Sequence, residues 1–122
     1  MSGWRTPLLR RLSTNELARH RSHVVVVDAH GPPYFANGHI PGAVNIPPHD
    51  VIRLAPARIG NPRATVVVYG ASRSSNARIV AEQLLALGFA DVCLYEDGLE
   101  GWIAAGLPVD SDADGDSTTT AP

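Results

Sequence analysis

Short runs of β-branched residues alternate along this chain with stretches whose apolar residues recur at helical spacing. Valines fill positions 24–27 and lead directly into Asp28, and a second run at 65–69 ends in tyrosine. Unbroken apolar runs of this length are typical of strands buried on both faces of a parallel sheet. The same reasoning predicts a third long strand at 92–95 and a short one within 43–46.

Two helices are predicted from their end signals. Ser13 and Glu16 form a capping-box pattern, which predicts a first helix over 14–20. Apolar residues at helical spacing predict a longer helix over 77–87, and Gly88 supplies the left-handed residue that ends it. Both helices therefore carry one apolar face for packing on the sheet.

The remaining connections are less regular. The glycine and two prolines at 31–33 predict the start of a loop, and a short helix is expected around 49–54. Asp97 with Glu100 is predicted to cap a last helix that runs through tryptophan 102 to Ala105.

Strands that alternate with helices across short loops predict an α/β fold, a parallel β-sheet flanked by helices on both faces. The 122 residues suffice for one such domain. We expect an N-terminal extension at 1–11, the domain at 12–109, and a disordered acidic tail at 110–122, where no apolar residue is larger than alanine. The chain is thus interpreted as a single domain with two flanking segments.

Composition excludes several classes of function. Twelve acidic residues against ten basic ones give a net charge of −2, so we expect no nucleic-acid or membrane partner. No apolar run approaches the 18 residues of a membrane span, and we expect a cytoplasmic protein. Cys93 is the one cysteine, so no disulfide or cysteine-based zinc site can form within the chain. We predict no metal site and no cofactor.

The segment between the second strand and the long helix is the candidate site, because ligands of parallel sheets bind beyond the carboxyl ends of the strands. Its residues are Gly70, Ala71, Ser72, Arg73, Ser74, Ser75 and Asn76. Backbone N–H groups and serine hydroxyls beside a helix start can bind a small oxyanion such as sulfate, thiosulfate or phosphate. The alternative is that the serines only cap the helix.

Several motifs in fixed order resemble the rhodanese-like, or sulfurtransferase, family. They are Val-Val-Asp at 26–28, Gly-His-Ile-Pro-Gly-Ala-Val-Asn-Ile-Pro at 38–47, Val-Val-Val-Tyr at 66–69, Leu-Gly-Phe at 87–89, Asp-Gly-Leu-Glu-Gly-Trp at 97–102 and Gly-Leu-Pro-Val at 106–109. The resemblance spans about 12–109 and is most specific at 38–47. It implies the same parallel α/β fold that the hydrophobic pattern predicts.

The resemblance also implies an active-site cysteine directly after the second strand, where this chain has Gly70. That cysteine carries a persulfide in the family, a task that needs a thiolate beside a helix start. A second cysteine found in some members is here Ser75, the arginine usual two residues after Asp28 is His30, and the usual Gly-Gly is Asp97-Gly98. The sequence therefore assigns no catalytic residue.

We expect a binding or regulatory module that lacks sulfurtransferase activity, with Asp28 and His30 as possible pocket contacts and an unidentified protein as a possible partner. One alternative is a transferase or hydrolase that uses Ser72 or Ser75 with Arg73 and Asp28 in the same crevice. Another is an active sulfurtransferase whose cysteine at 70 or 75 was altered in this copy. Cys93 is expected to be a buried strand residue without a reactive role.

Overall fold

A computed structural model describes residues 9–72 and 74–112 of the chain. The strands are β1 (Arg10–Arg11), β2 (Val25–Asp28), β3 (Val44–Asn45), β4 (Thr65–Tyr69) and β5 (Asp91–Tyr95). The helices are α1 (Thr14–His20), α2 (Pro32–Asn37), α3 (Val51–Arg58), α4 (Ser75–Ala86) and α5 (Gly98–Ala104), with 3₁₀ turns at Arg21–His23 and Pro48–Asp50.

The strands form one parallel sheet in the order β1-β5-β4-β2-β3. The central pair is in register so that Asp28 lies beside Tyr69, the last residue of β4. Tyr69 in turn lies beside Tyr95, the last residue of β5. Three strands therefore end at one level, and the segments that follow them meet at the same edge of the sheet.

The alternation along β4 divides the core between the two faces of the sheet. Val66 and Val68 pack with the apolar faces of α3 and α4, whereas Val67 and Tyr69 pack with Leu17 of α1. Trp102 of α5 lies in that second cluster and is almost fully buried. The predicted α/β fold with helices on both faces is confirmed.

Local signals explain where the first helices begin. The capping box of α1 is complete, since the Ser13 hydroxyl accepts from the Glu16 N–H at 3.1 Å and the Glu16 carboxylate accepts from the Ser13 N–H at 2.8 Å. The loop predicted to start at 31–33 was wrong, because α2 begins at Pro32. Proline suits the first turn of a helix, where its missing N–H has no partner to lose.

Two helix boundaries differ from the prediction, and one strand was not predicted. The helix expected around 49–54 is a 3₁₀ turn followed by α3, which extends to Arg58 because Leu54 and Ala55 pack in the core. The long helix begins at Ser75 rather than near Ala77. No strand was predicted at Arg10–Arg11, whose side chains are exposed and carry no apolar pattern.

The two flanking segments are described only in part. Strand β1 brings residues 10 and 11 of the predicted extension into the sheet, and Asp110 pairs with His39 in an isolated bridge. The predicted acidic tail lies outside the described residues from 113 onward. Within residues 9–72 and 74–112, no helix is both long and apolar enough to cross a membrane.

Candidate functional site

The candidate site lies where β4 passes into α4, beside the end of β2. Ser74 is the N-cap of α4, and its hydroxyl accepts from the Asn76 N–H at 3.0 Å. The Ser74 N–H itself donates to the Ala71 carbonyl at 3.0 Å, which turns the segment tightly. One of the three serines thus caps the helix. Arg73 lies outside the described residues.

Gly70 has room for a side chain. A Cβ built there would lie 3.7 Å from the Ala77 N and 3.8 Å from the Ala77 Cβ, which are ordinary contact distances. The backbone of Gly70 is not in the left-handed region that favours glycine. Neither sterics nor conformation therefore demands glycine at this position, and a side chain there would point at the first turn of α4.

The first turn of α5 fastens the start of the segment. The Leu99 N–H donates to the Gly70 carbonyl at 3.2 Å, and the Ser72 N–H donates to the Glu100 carboxylate at 2.9 Å. Gly98 is needed for this approach, because it has a φ of 69° and its Cβ would come within 2.6 Å of the Gly70 carbonyl oxygen. The Ser72 N–H, one of the amides expected to bind an anion, is therefore already bonded to the Glu100 carboxylate.

The predicted cap of α5 was wrong in its details. Asp97 makes no capping hydrogen bond through its side chain, which instead accepts from the Thr14 hydroxyl at 3.3 Å. Glu100 reaches across to Ser72, not back to the start of its own helix. The Asp97 and Glu100 pattern correctly predicted that a helix begins here. It did not predict that the Glu100 carboxylate bonds to Ser72.

A buried hydrogen-bond network joins the end of β2 to the end of β4. The Asp28 side chain is 0% exposed and accepts from the His30 N–H at 2.8 Å, and its same oxygen lies 2.8 Å from the His30 Nδ1. The other carboxylate oxygen accepts from the Tyr69 hydroxyl, which accepts in turn from the Ile40 N–H at 2.9 Å. Every oxygen of the network therefore has a partner.

Asp28 sets the electrostatics of its two neighbours. Its hydrogen bond raises the pKa of His30 above the ordinary value, against the opposing effect of burial. Burial, the charge of Asp28 and the hydrogen bond to it raise the pKa of Tyr69 far above its usual range. Both effects favour the protonated forms of His30 and Tyr69, which contact the Asp28 carboxylate.

Two cavities flank the segment that follows β4. One, of about 230 Å³, is lined by Ala71, Ser74, Ser75, Ala77, Arg78 and Glu96, among others. The other is an open groove of about 590 Å³ between α2 and α5, with His30 and Glu100 in its lining. The structure thus separates the predicted site residues, because Ser74 and Ser75 line one cavity and His30, which is bonded to Asp28, lines the other.

The surroundings of Cys93 do not suit it to act as a nucleophile. Its side chain is almost fully buried in the middle of β5, as predicted, and burial raises the pKa of its thiol. A raised pKa leaves little thiolate at neutral pH.

Sequence reasoning missed two members of the site. Glu100 contacts a residue 28 positions away, and no local pattern indicates such a pair. Tyr69 carried a usable signal, since a tyrosine that ends a buried strand needs a partner for its hydroxyl and Asp28 ends the other long strand.

Comparison with known proteins identifies the fold. Residues 13–105 match the family described as rhodanese-like domain. A protein named thiosulfate sulfurtransferase GlpE from Pseudomonas putida is 36% identical over 87 residues, which are 70% of this chain and 76% of that protein. The GlpE of Stutzerimonas stutzeri is 31% identical over 86 residues, covering 70% of this chain and 75% of the relative.

Solved structures agree with this match at the level of the fold. A thiosulfate sulfurtransferase from Pseudomonas aeruginosa superposes with a TM-score of 0.76 at 24% identity over 85% of this chain, which spans 20% of that protein's length. A rhodanese-like domain from Anabaena gives a TM-score of 0.76 at 21% identity, covering 94% of this chain and 89% of that one.

Proposed function

We propose that this chain, which belongs to the rhodanese-like domain family, is a binding or regulatory module without sulfurtransferase activity. A single observation carries the proposal: the residue between the end of β4 and the first turn of α4 is Gly70. Sulfur transfer through an enzyme-bound persulfide needs a thiolate at the reacting position. Glycine offers no atom that could carry sulfur.

The other candidate sulfur carriers are unsuited for different reasons. Ser75 is the first residue of α4, and a serine hydroxyl does not form a stable persulfide. Cys93 is buried in β5, and it lines neither of the two cavities described above. We infer that the relatives' activity, which their names give as thiosulfate sulfurtransferase, is absent from this chain.

We further propose that a small oxyanion binds at the start of α4. The first turn of this twelve-residue helix carries a partial positive charge, and Ser74 and Ser75 line the cavity of about 230 Å³. Arg78 lines the same cavity and supplies a guanidinium. The Ser72 N–H is already taken by Glu100, so the site is limited to the α4 side of the segment.

One observation favours a second candidate, a transferase or hydrolase in the neighbouring groove. Asp28 fixes the Nδ1 side of His30, and the imidazole lines the groove, an arrangement that general bases use. Screening of ester and phosphoester substrates against wild type and His30→Gln tests it. Turnover that disappears in the variant would replace the binding proposal.

Titration with sulfate and thiosulfate tests the anion site. The amide resonances of residues 74–78 should shift first and saturate with a Kd of about 1 mM, equivalent to about 4 kcal/mol. Glu96→Gln removes the carboxylate that lines this cavity and lies 3.9 Å from the Arg78 guanidinium, and it should strengthen binding. Asp50→Asn, which removes the same charge from a residue outside the cavity, is the control and should change binding little. Chloride at matched ionic strength controls for screening. Shifts that appear equally across the whole protein would contradict the anion site.

A further inference from the structure

The groove between α2 and α5 concentrates exposed apolar side chains. Tyr34 is 71% exposed, Ile103 is 53% exposed and Val109 is 37% exposed, and all three line this one groove. Half of the large apolar side chains exposed in the described residues therefore meet at one place. Clustered apolar exposure beside polar groups is characteristic of interaction surfaces, whereas isolated exposed residues are ordinary.

The polar part of the same groove is made of His30, Asn37 and Glu100. Glu100 brings a carboxylate, and no lysine or arginine is among the groove-lining residues that the structure describes. A positive charge on His30 is balanced by the buried Asp28 carboxylate, which its Nδ1 contacts at 2.8 Å. The Glu100 carboxylate therefore favours a cationic, hydrogen-bond-donating partner in this groove.

Tyr34 adds a second reason to expect a cation. Its largely exposed ring lies on the rim of the groove, 6.4 Å from the centre of the His30 ring. The face of an aromatic ring attracts a guanidinium or ammonium group, and arginine uses such faces most often. One arginine side chain can therefore contact the Tyr34 ring and pair with a carboxylate across the groove, with Glu100 as that carboxylate.

The shape indicates a peptide. Sites for small molecules enclose most of their ligand, whereas this groove of about 590 Å³ is open along its length. We propose that the groove docks a peptide segment of a partner protein in which an arginine is flanked by large aliphatic residues. This inference rests on the proposed function, and it supplies the partner chemistry that a binding module requires.

The test uses the full-length protein and two capped hexapeptides of defined sequence. One is acetyl-Gly-Leu-Arg-Leu-Leu-Gly-amide, and the other replaces its arginine with glutamate. The arginine peptide should shift the amides of 30–38 and 99–109, with at least tenfold higher affinity than the glutamate peptide. Equal affinity of the two peptides, no binding of either, or shifts confined to other regions would overturn the inference.

Three variants locate the binding surface. Ile103→Arg, which removes an apolar contact and adds a repelling charge, should weaken the arginine peptide at least tenfold, and Glu100→Gln should weaken it about threefold. Ile52→Arg is the matched control, because Ile52 is 73% exposed on α3 and does not line the groove. An equal effect of the Ile52 variant would overturn the assignment of the groove. Circular dichroism of each variant excludes loss of fold as the cause.

Two further outcomes separate this inference from its neighbours. If sulfate moves the amides of 74–78 and the arginine peptide does not bind, the groove inference fails and the proposed anion site stands. If the peptide binds and sulfate does not, the anion site fails alone. If sedimentation shows a dimer that Ile103→Arg dissociates, a second copy occupies the groove, and the partner-peptide inference is overturned.

Discussion

Strands β2 and β4 end side by side, yet their ends are held in opposite ways. At the end of β2, the side chains of Asp28, His30 and Tyr69 bond one another in a closed network. At the end of β4, backbone groups of Gly70 and Ser72 bond to the first turn of α5. The second end has Gly70 where the family resemblance implies a cysteine, and the described backbone contacts there need no side chain at that position.

This difference shows which contacts at the two strand ends stabilise the fold. Removal of a buried, fully paired carboxylate leaves several polar groups without partners, which costs free energy. The absence of a cysteine side chain leaves only an open space, because no described contact fastens the segment through position 70 other than its carbonyl group. The described contacts of this segment are therefore compatible with glycine at position 70.

The largest effect is expected at the end of β2. Asp28→Ala should lower the free energy of unfolding by about 4 kcal/mol, because the Tyr69 hydroxyl and the His30 N–H both lose their buried acceptor. Tyr69→Phe, which removes one hydroxyl and leaves the carboxylate its contacts with His30, should cost less, about 1–2 kcal/mol. Urea denaturation measures both. A loss below about 1 kcal/mol for Asp28→Ala would contradict the central role of this carboxylate.

A smaller but specific effect is expected where α5 approaches the other strand end. Gly98→Ala should cost about 3 kcal/mol, because a Cβ would meet the Gly70 carbonyl oxygen at 2.6 Å. Gly106→Ala is the matched control, with a similar φ of 79° and no atom within 4 Å, and should cost only about 1 kcal/mol. Equal losses in thermal or urea denaturation would mean that the contact between α5 and the segment contributes nothing.

A cysteine introduced at position 70 tests the comparison between the two strand ends further. Gly70→Cys in a Cys93→Ser background should change stability by less than about 1 kcal/mol, because its Cβ makes only ordinary contacts. Its thiol pKa should lie below the free value of about 8.5, since the start of α4 favours the thiolate. The pH dependence of iodoacetamide alkylation measures that pKa. A value of about 8.5 or above would show that the segment has lost the required geometry.

The smallest effect is a pH dependence at the end of β2. The folded pKa of His30 is raised, so its protonation stabilises the fold fully below about pH 6.5, its unfolded value, and this contribution disappears as pH rises through the folded pKa. The stability difference between wild type and His30→Gln should therefore decrease from pH 5.5 to 8.5. His49→Gln, at an exposed position, is the control. A difference that grows with pH would contradict the raised pKa.

The hydrophobic pattern was sufficient to predict the three long strands, α1 and the α/β class, because each depends on local periodicity. Strand β1 was not predicted, because Arg10–Arg11 joins the sheet through backbone pairing with β5 and shows no apolar alternation. Helix α2 was not predicted, because prolines favour both a loop and a first helical turn. Short elements depend on tertiary contacts that no sequence window contains.

The rule for parallel sheets selects the segment at 70–76 as the candidate site, and that choice stays a prediction. The sequence itself has Gly70 where the family resemblance implies a cysteine. The bond from the Ser72 N–H to Glu100 could not be predicted, because it depends on how α5 packs against the sheet edge. The expected cradle of free amides is consequently narrower than the sequence indicated, and its ability to bind an anion stays a prediction.

The most direct test of the central claim is thiocyanate formation from thiosulfate and cyanide. Wild type should match the Cys93→Ser variant, which contains no cysteine, and both should remain at the uncatalysed rate because no thiolate stands at the start of α4. Turnover by both proteins would contradict the claim that a missing thiol abolishes sulfur transfer. Turnover by wild type alone would contradict it differently, by making Cys93 the sulfur carrier.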